Sequence, residues 1–223
     1  MSIEEPSVRR LRGRPPKLSS GRIIEAAGEI LAEVPADEFT LARVAERLGA
    51  PLTSIHNYFP NRFTLISAFA EEMFTRFEFQ DPPPETPWPV AVLAWLRAVD
   101  AFFQQHPAAA KAIGTDDQTS PAWGLVRAPL LRQLRRAGLQ GRDLAATVMA
   151  THAQLIGLLF MANYVLRPQP TDGVFPPPDA SRTEHDEAEL RSYRKVIHRE
   201  EIVGFGLSAI VNQLERLAAN KAC

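Results

Sequence analysis

A single cysteine, Cys223, in a chain of 223 residues leaves nothing for an intramolecular disulfide framework or a cysteine-based zinc site, and it suits a reducing compartment such as the cytoplasm. Net charge is also scarce. At a formal -1 the surface as a whole cannot coat nucleic acid or an anionic membrane, so any polyanion binding must come from local patches. No glycine-rich phosphate loop is present and no Ser-His-Asp set stands out as a local motif. The five histidines lack metal-ligand spacing, and "HDE" at 185–187 with His198 reads as a solvated helix start. The chain is therefore expected to be no enzyme and to need no metal or cofactor. The first twenty residues have cations but no apolar stretch behind them, unlike a secretory signal. Long hydrophobic runs are missing as well: 144–166 is interrupted by His152, Gln154 and Asn163, which predicts a buried helix and no membrane span. Neither an internal repeat nor an alternating strand pattern occurs, and the fold class expected is all-α.

Helical periodicity is abundant. Ile23, Ile24, Ala27, Ile30, Leu31 and Val34 mark one face of a first helix, with Ser19 and Ser20 in place as N-caps. Thr40 precedes a two-turn pattern, Leu41, Val44, Ala45 and Leu48, that stops at Gly49. After the Ala50-Pro51 corner a third helix is expected over Leu52–Tyr58, with Ile55 and Phe59 as its core residues. A fourth carries Phe63, Ile66, Phe69, Ala70, Met73, Phe74 and Phe77, and the proline cluster at 81–89 closes it. Farther on, Val92, Trp95, Leu96, Val99, Phe102, Phe103 and His106 share a face, and a helix containing Pro129 follows. The apolar helix of 143–166 comes next. The five prolines of 168–183 predict a long surface loop, and a last amphipathic region runs over 184–219 with a break near Ile197.

Two short helices joined at a glycine, the second opening with exposed polar residues, are the plan of a helix-turn-helix. Here the residues go further. "FTLARVAERLGAPLTSIHNYFPNRFTLISAFAEEMF" resembles the DNA-binding region of the tetracycline-repressor (TetR) family of transcription regulators, over residues 20–75. The resemblance rests on Thr40, the Val44-Ala45 pair, Gly49, and the Tyr58-Phe59 ending followed by a basic residue and Leu65. Two positions depart from it: the family usually has serine where Pro51 stands, and an aromatic where His56 stands.

The resemblance implies a three-helix DNA-binding domain over 19–80 with its connecting fourth helix, and a larger helical domain over 81–223 for ligand binding and dimerisation. The second helix would turn its capped N-terminus, Thr40, toward phosphate. The third helix would enter the major groove, with Leu52 and Thr53 against thymine methyls and Thr53, His56 and Asn57 hydrogen-bonding base edges or phosphates. Tyr58 and Arg62 match family positions that bind phosphate.

"RRLRGRPPK" at 9–17 packs five cations into nine residues, and from Pro6 to Ile24 there is no acid. Its "RGRPPK" resembles an AT-hook, which lays an extended Arg-Gly-Arg-Pro core in the A/T-rich minor groove. Arg9, Arg10, Arg12, Gly13, Arg14 and Lys17 are therefore expected to form a DNA-contacting arm, 1–18, that is disordered by itself.

For the second domain the resemblance is confined to "GLL" at 157–159 and "VGFGLSAI" at 203–210, which look like the family's dimerising helices. By analogy the ligand pocket would draw on Trp95, Phe102, Phe103, His106, Trp123, His152, Phe160, Asn163 and Tyr164, suiting a mainly apolar or aromatic effector. The expected partners are a double-stranded palindromic operator, a second copy of the chain and a small molecule, with no membrane. Repression is the family's commoner mode, with the fourth helix as the expected lever. Two rival readings stand beside it: a ligand-binding helical dimer without specific operator recognition, and an architectural A/T-rich DNA binder driven by the arm.

Overall fold

A computed structural model of the chain describes residues 18–112, 123–162 and 197–222, and every regular element in them is helical. The arm residues Arg9, Arg10, Arg12, Gly13, Arg14 and Lys17, the loop at 168–183, "HDE" at 185–187, and Asn163 and Tyr164 lie outside the described residues. Contacts divide the described chain into two compact units, one holding 18–73 and 108–112, the other 74–107, 123–162 and 197–222.

In the first unit, α1 (Ser20–Glu33) starts where Ser19 accepts a hydrogen bond from the Arg22 amide at 3.4 Å. Ile23, Ala26, Ala27, Ile30 and Leu31 form its buried face. A single 3-10 turn, Ala36–Glu38, leads to α2 (Leu41–Leu48), capped by Thr40 Oγ1, which accepts from the Arg43 amide at 3.2 Å. Gly49 ends α2 with φ of 60°, a left-handed conformation that a side chain would strain. The next helix, α3 (Leu52–His56), is shorter than its pattern suggests. Asn57 and Tyr58 complete the turn, their amides bonded to the Thr53 and Ile55 carbonyls. Pro51 serves as the N-cap and supplies no side-chain bond. Ion pairs from Arg47 to Glu33 (2.5 Å) and Glu29 (3.0 Å) join α2 to α1, and these two carboxylates, Glu33 first, push the guanidinium above its ordinary value. Leu65, Ile66, Phe69 and Ala70 of α4 (Arg62–Phe74) add to the buried core.

Lys111 closes this unit. Its ammonium donates to the carbonyls of Leu31 (2.7 Å), Ala32 (3.4 Å) and Val34 (2.8 Å), the orphan acceptors at the end of α1, where the negative end of the helix dipole favours a cation. Lys111→Met is expected to destabilise the unit by about 1–2 kcal/mol, since charge-assisted bonds to partly buried carbonyls are lost without replacement. A urea midpoint equal to that of the parent protein would show that water replaces the ammonium at no cost.

The second unit takes in the end of α4, α5 (Trp88–Gln105), the start of α6 (Pro107–Lys111), α7 (Trp123–Arg136), α8 (Gly141–Phe160) and α9 (Arg199–Ala222). The fourth helix stops at Phe74, short of the expected Phe77, whose ring leaves the helical line and meets Phe102 edge-on at 5.5 Å. The proline cluster does not lie wholly between helices: Pro89 sits in the first turn of α5, where its missing N–H has no intrahelical partner to lose. The rest of the cluster is held by the last turns of α7. Arg132 pairs with Asp81 at 2.5 Å, and Arg136 donates to the carbonyls of Pro84 and Thr86 at 2.7 and 2.9 Å.

α5 packs on α7 and α9, and α8 packs on α7 and α9. By length and composition alone α8 could cross a membrane; it buries Leu144, Val148, Leu155 and Leu159 within the unit and leaves Met149 and Phe160 exposed. α8 and α9 approach closely at Gly206, where a Cβ would meet Leu158 side-chain carbons at 2.5–3.1 Å. Gln154 of α8 also bonds Gln213 of α9 at 2.8 Å.

Candidate nucleic-acid interface

α3 is anchored from beneath and open above. Ile55 is fully buried and Phe59 nearly so, while Leu52, Thr53, His56, Asn57 and Tyr58 are exposed. Burying two such apolar side chains stabilises by roughly 1.5–3 kcal/mol each, enough to hold so short a helix in one orientation. The structure thus leaves the four expected reading residues and Tyr58, an expected phosphate contact, exposed to solvent.

Four of the expected DNA-contacting side chains have defined hydrogen-bonding states. His56 Nδ1 lies 3.1 Å from the Pro60 carbonyl, which can only accept, so Nδ1 carries the proton. In the neutral ring Nε2 is then an acceptor. It is suited to a base amino group such as cytosine N4 or adenine N6, and it cannot donate to phosphate. Tyr58 donates its hydroxyl proton to the Leu18 carbonyl at 3.0 Å. A phosphate, itself only an acceptor, would compete for that proton. The same bond fixes the residue that follows Lys17 against the end of α3. Thr40 uses an oxygen lone pair for its cap, leaving its hydroxyl proton available to phosphate. Arg62 Nη2 donates to the Ala36 carbonyl, which holds the guanidinium against the turn that precedes α2.

The second unit gathers most of the expected ligand-facing residues into one cluster. Trp95, Phe102, Phe103, Trp123 and His152 are buried. Ring centroids lie 6.2 Å apart for Trp95 and His152, 5.6 Å for Trp123 and His152, 5.8 Å for Phe103 and Trp123, and 4.9 Å for Phe102 and His106. Phe74 joins through Trp123 at 5.2 Å. Trp95 Nε1 is satisfied by the Val126 carbonyl at 2.8 Å. Phe160, by contrast, is 56% exposed on α8. Nothing in local sequence flags Lys111, or the Asp100–Arg199 pair that links α5 to α9, because their partners lie far away along the chain.

Burial, and secondarily the positive charge of Arg127, pushes the His152 pKa down from 6.5 to about 4. Between those values the unfolded chain binds more protons than the folded one, so stability is complete above about pH 6.5 and falls as the pH drops toward 4. The loss should approach about 3 kcal/mol across the window, and His152→Phe should remove that part of the acid sensitivity. Urea titrations of both proteins at pH 7 and pH 4.5 measure it, and identical pH slopes would contradict it.

No family model matches the chain. Among curated proteins it is similar to the HTH-type transcriptional repressor DrrR1 of Streptomyces coeruleorubidus, 23% identical over 146 residues. That match covers 66% of this chain and 54% of the relative, so it spans about half the relative's length. Among solved structures, the TetR family protein ActR of Streptomyces coelicolor in complex with (S)-DNPA aligns with a TM-score of 0.63 at 19% identity, covering 91% of this chain and all of the other, 100%. BioQ, a Mycobacterium smegmatis protein, in a structure with its natural double-stranded DNA operator, aligns with a TM-score of 0.61 at 18% identity, over 90% and 99% of the two chains. With a capped α2, a glycine turn, an anchored and exposed α3, and a separate helical unit, this chain has the fold of the TetR-family transcription regulators.

Proposed function

We propose that the chain is a homodimeric transcription regulator that reads a two-fold symmetric operator with paired α3 helices and releases it on binding a small, mainly apolar or aromatic ligand. The observation that carries this reading is α3 itself. Ile55 and Phe59 are buried beneath it, and Leu52, Thr53, His56 and Asn57 are left facing solvent at the positions from which a recognition helix touches base edges. A helix this short and polar contributes little to the core, so its exposed side chains are best explained by a partner. The operator-bound state of BioQ and the (S)-DNPA complex of ActR support DNA and a small molecule as the two ligands of this fold. The basic arm, with Arg9, Arg10, Arg12, Arg14 and Lys17, adds phosphate and minor-groove contacts beside each half-site.

Dimerisation is assigned to α8 and α9. Phe205 is 81% exposed, and Met149, Phe160 and Leu217 are exposed on the same two helices. Large apolar side chains left exposed on these two helices are what a surface covered in use would present. The protein works in the bacterial cytoplasm, at the nucleoid when bound to DNA, and represses.

Selection of sites from a random-duplex pool, with full-length protein and with residues 1–18 removed, tests the reading. Recovery of one palindrome by both proteins is expected, with A/T-rich flanks only for the full-length chain. Recovery of nothing but A/T-rich sequence, lost on deletion, would replace operator reading with arm-driven architectural binding.

A further inference from the structure

The buried polar groups of the second unit are accounted for with one exception. Asp100 is bonded by Arg199 and Gln104, Gln133 by Arg136, and Thr151 donates to the Thr147 carbonyl at 2.8 Å. His152 Nε2 alone, among the described residues of this unit, is a buried side-chain polar atom with no hydrogen-bond partner. The residue is 6% exposed, and its ring centroid lies 6.2 Å from that of Trp95 on α5 and 5.6 Å from that of Trp123 on α7. An imidazole nitrogen taken from water and given nothing in return is a standing cost, and native proteins rarely tolerate one without a use.

We infer that His152 Nε2 is the polar anchor of the effector, and that it selects an uncharged or anionic aromatic molecule bearing a hydroxyl group, held beside His152 in the aromatic cluster of Trp95 and Trp123. This rests on the ligand-responsive reading above and names the ligand's chemistry. Tryptophan rings beside the nitrogen favour an aromatic body, which gains stacking or edge-on contacts from them. A hydroxyl fits the nitrogen in either tautomer, donating to a bare Nε2 or accepting from a protonated one. A cation does not fit. The positive charge of Arg127 already reaches this ring and helps to keep it neutral, and it would repel an ammonium group in the same place.

The test compares 1-naphthol with 1-methylnaphthalene, probes of nearly equal size that differ in the hydroxyl, titrated calorimetrically into the full-length protein. The parent protein is expected to prefer 1-naphthol by about tenfold, the usual worth of one buried hydrogen bond. His152→Phe should erase the preference while leaving 1-methylnaphthalene affinity unchanged, and His152→Gln, which keeps a donor and an acceptor, should restore part of it. Melting adds a second readout: His152→Phe is expected to melt at or above the parent temperature at pH 7, because it removes an unsatisfied atom. Equal response to the two probes, including none to either, overturns the assignment, as does a preference that survives His152→Phe or a lower melting temperature for that variant. None of these outcomes touches recovery of a palindrome in the site selection, so the anchor can fail while the operator-reading regulator stands.

Discussion

Thr53→Glu is expected to cripple operator binding while leaving the protein folded, with affinity down by at least about 30-fold and melting within a degree or two of the parent. Thr53 is the second residue of α3 and is exposed, so the longer side chain displaces no core atom. A carboxylate in the first turn of a helix is, if anything, mildly favourable to it. On DNA the sign reverses. The duplex carries one negative charge per roughly 1.7 Å of axis, and a glutamate pressed into the major groove loses hydration and gains only repulsion. Each mismatched contact costs about 1–3 kcal/mol and the proposed dimer would make every contact twice, so about 2–6 kcal/mol is at stake across the operator. Fluorescence anisotropy with the selected duplex at fixed salt measures it. A loss under threefold would mean that α3 does not enter the groove, and the reading of the first unit would have to be rebuilt around the arm.

The first unit was legible because its signals are local. A side-chain cap acts three residues ahead, and Ser19 and Thr40 behave as their positions predict. A left-handed residue must almost always be glycine, and Gly49 is one. Helix ends were less legible. Asn57 and Tyr58 fall within the expected span of α3 yet form a turn, and Phe77 continues the apolar spacing of α4 while its ring packs outside the helix. Periodicity reports which face is buried, not how far the backbone bonds run.

The candidate site shows the same division. Exposure of Leu52, Thr53, His56 and Asn57 follows from the spacing of Ile55 and Phe59, but the proton on His56 Nδ1 depends on where the Pro60 carbonyl falls, and that is fixed only by the folded turn. Trp95, Trp123 and His152 come from three different helices. Each could be named from composition as an aromatic or polar residue on an apolar face. That two tryptophan rings meet a histidine with an unpartnered nitrogen is a property of how α5, α7 and α8 pack.

Long-range pairing also decides the stability of the second unit, where the largest loss is expected from the ion pair between Asp100 and Arg199. Arg199 Nη2 bonds Asp100 Oδ1, Nη1 reaches Oδ2 at 3.3 Å, and Gln104 donates to Oδ2 at 3.0 Å, so the carboxylate accepts at both oxygens. Both side chains are largely buried, at 12% and 20% exposure, and the pair fastens the first turn of α9 to α5. Arg199→Met strands a desolvated carboxylate with one amide for company and should cost about 3–5 kcal/mol. At roughly 2–4 °C per kcal/mol for a chain of this size, melting should fall by about 6–20 °C. Asp100→Leu should cost less, because the long Arg199 side chain can carry its charge outward to water. The double variant is the decisive comparison. With both charges gone the desolvation penalty goes too, and apolar side chains of similar volume can pack in their place, so its stability should return to within about 1 kcal/mol of the parent. Thermal melts of the four proteins close a double-mutant cycle, and a coupling of about 3 kcal/mol is expected. Additive losses would mean that the two residues stabilise the unit through separate contacts, and that α9 is held to α5 by its apolar face alone.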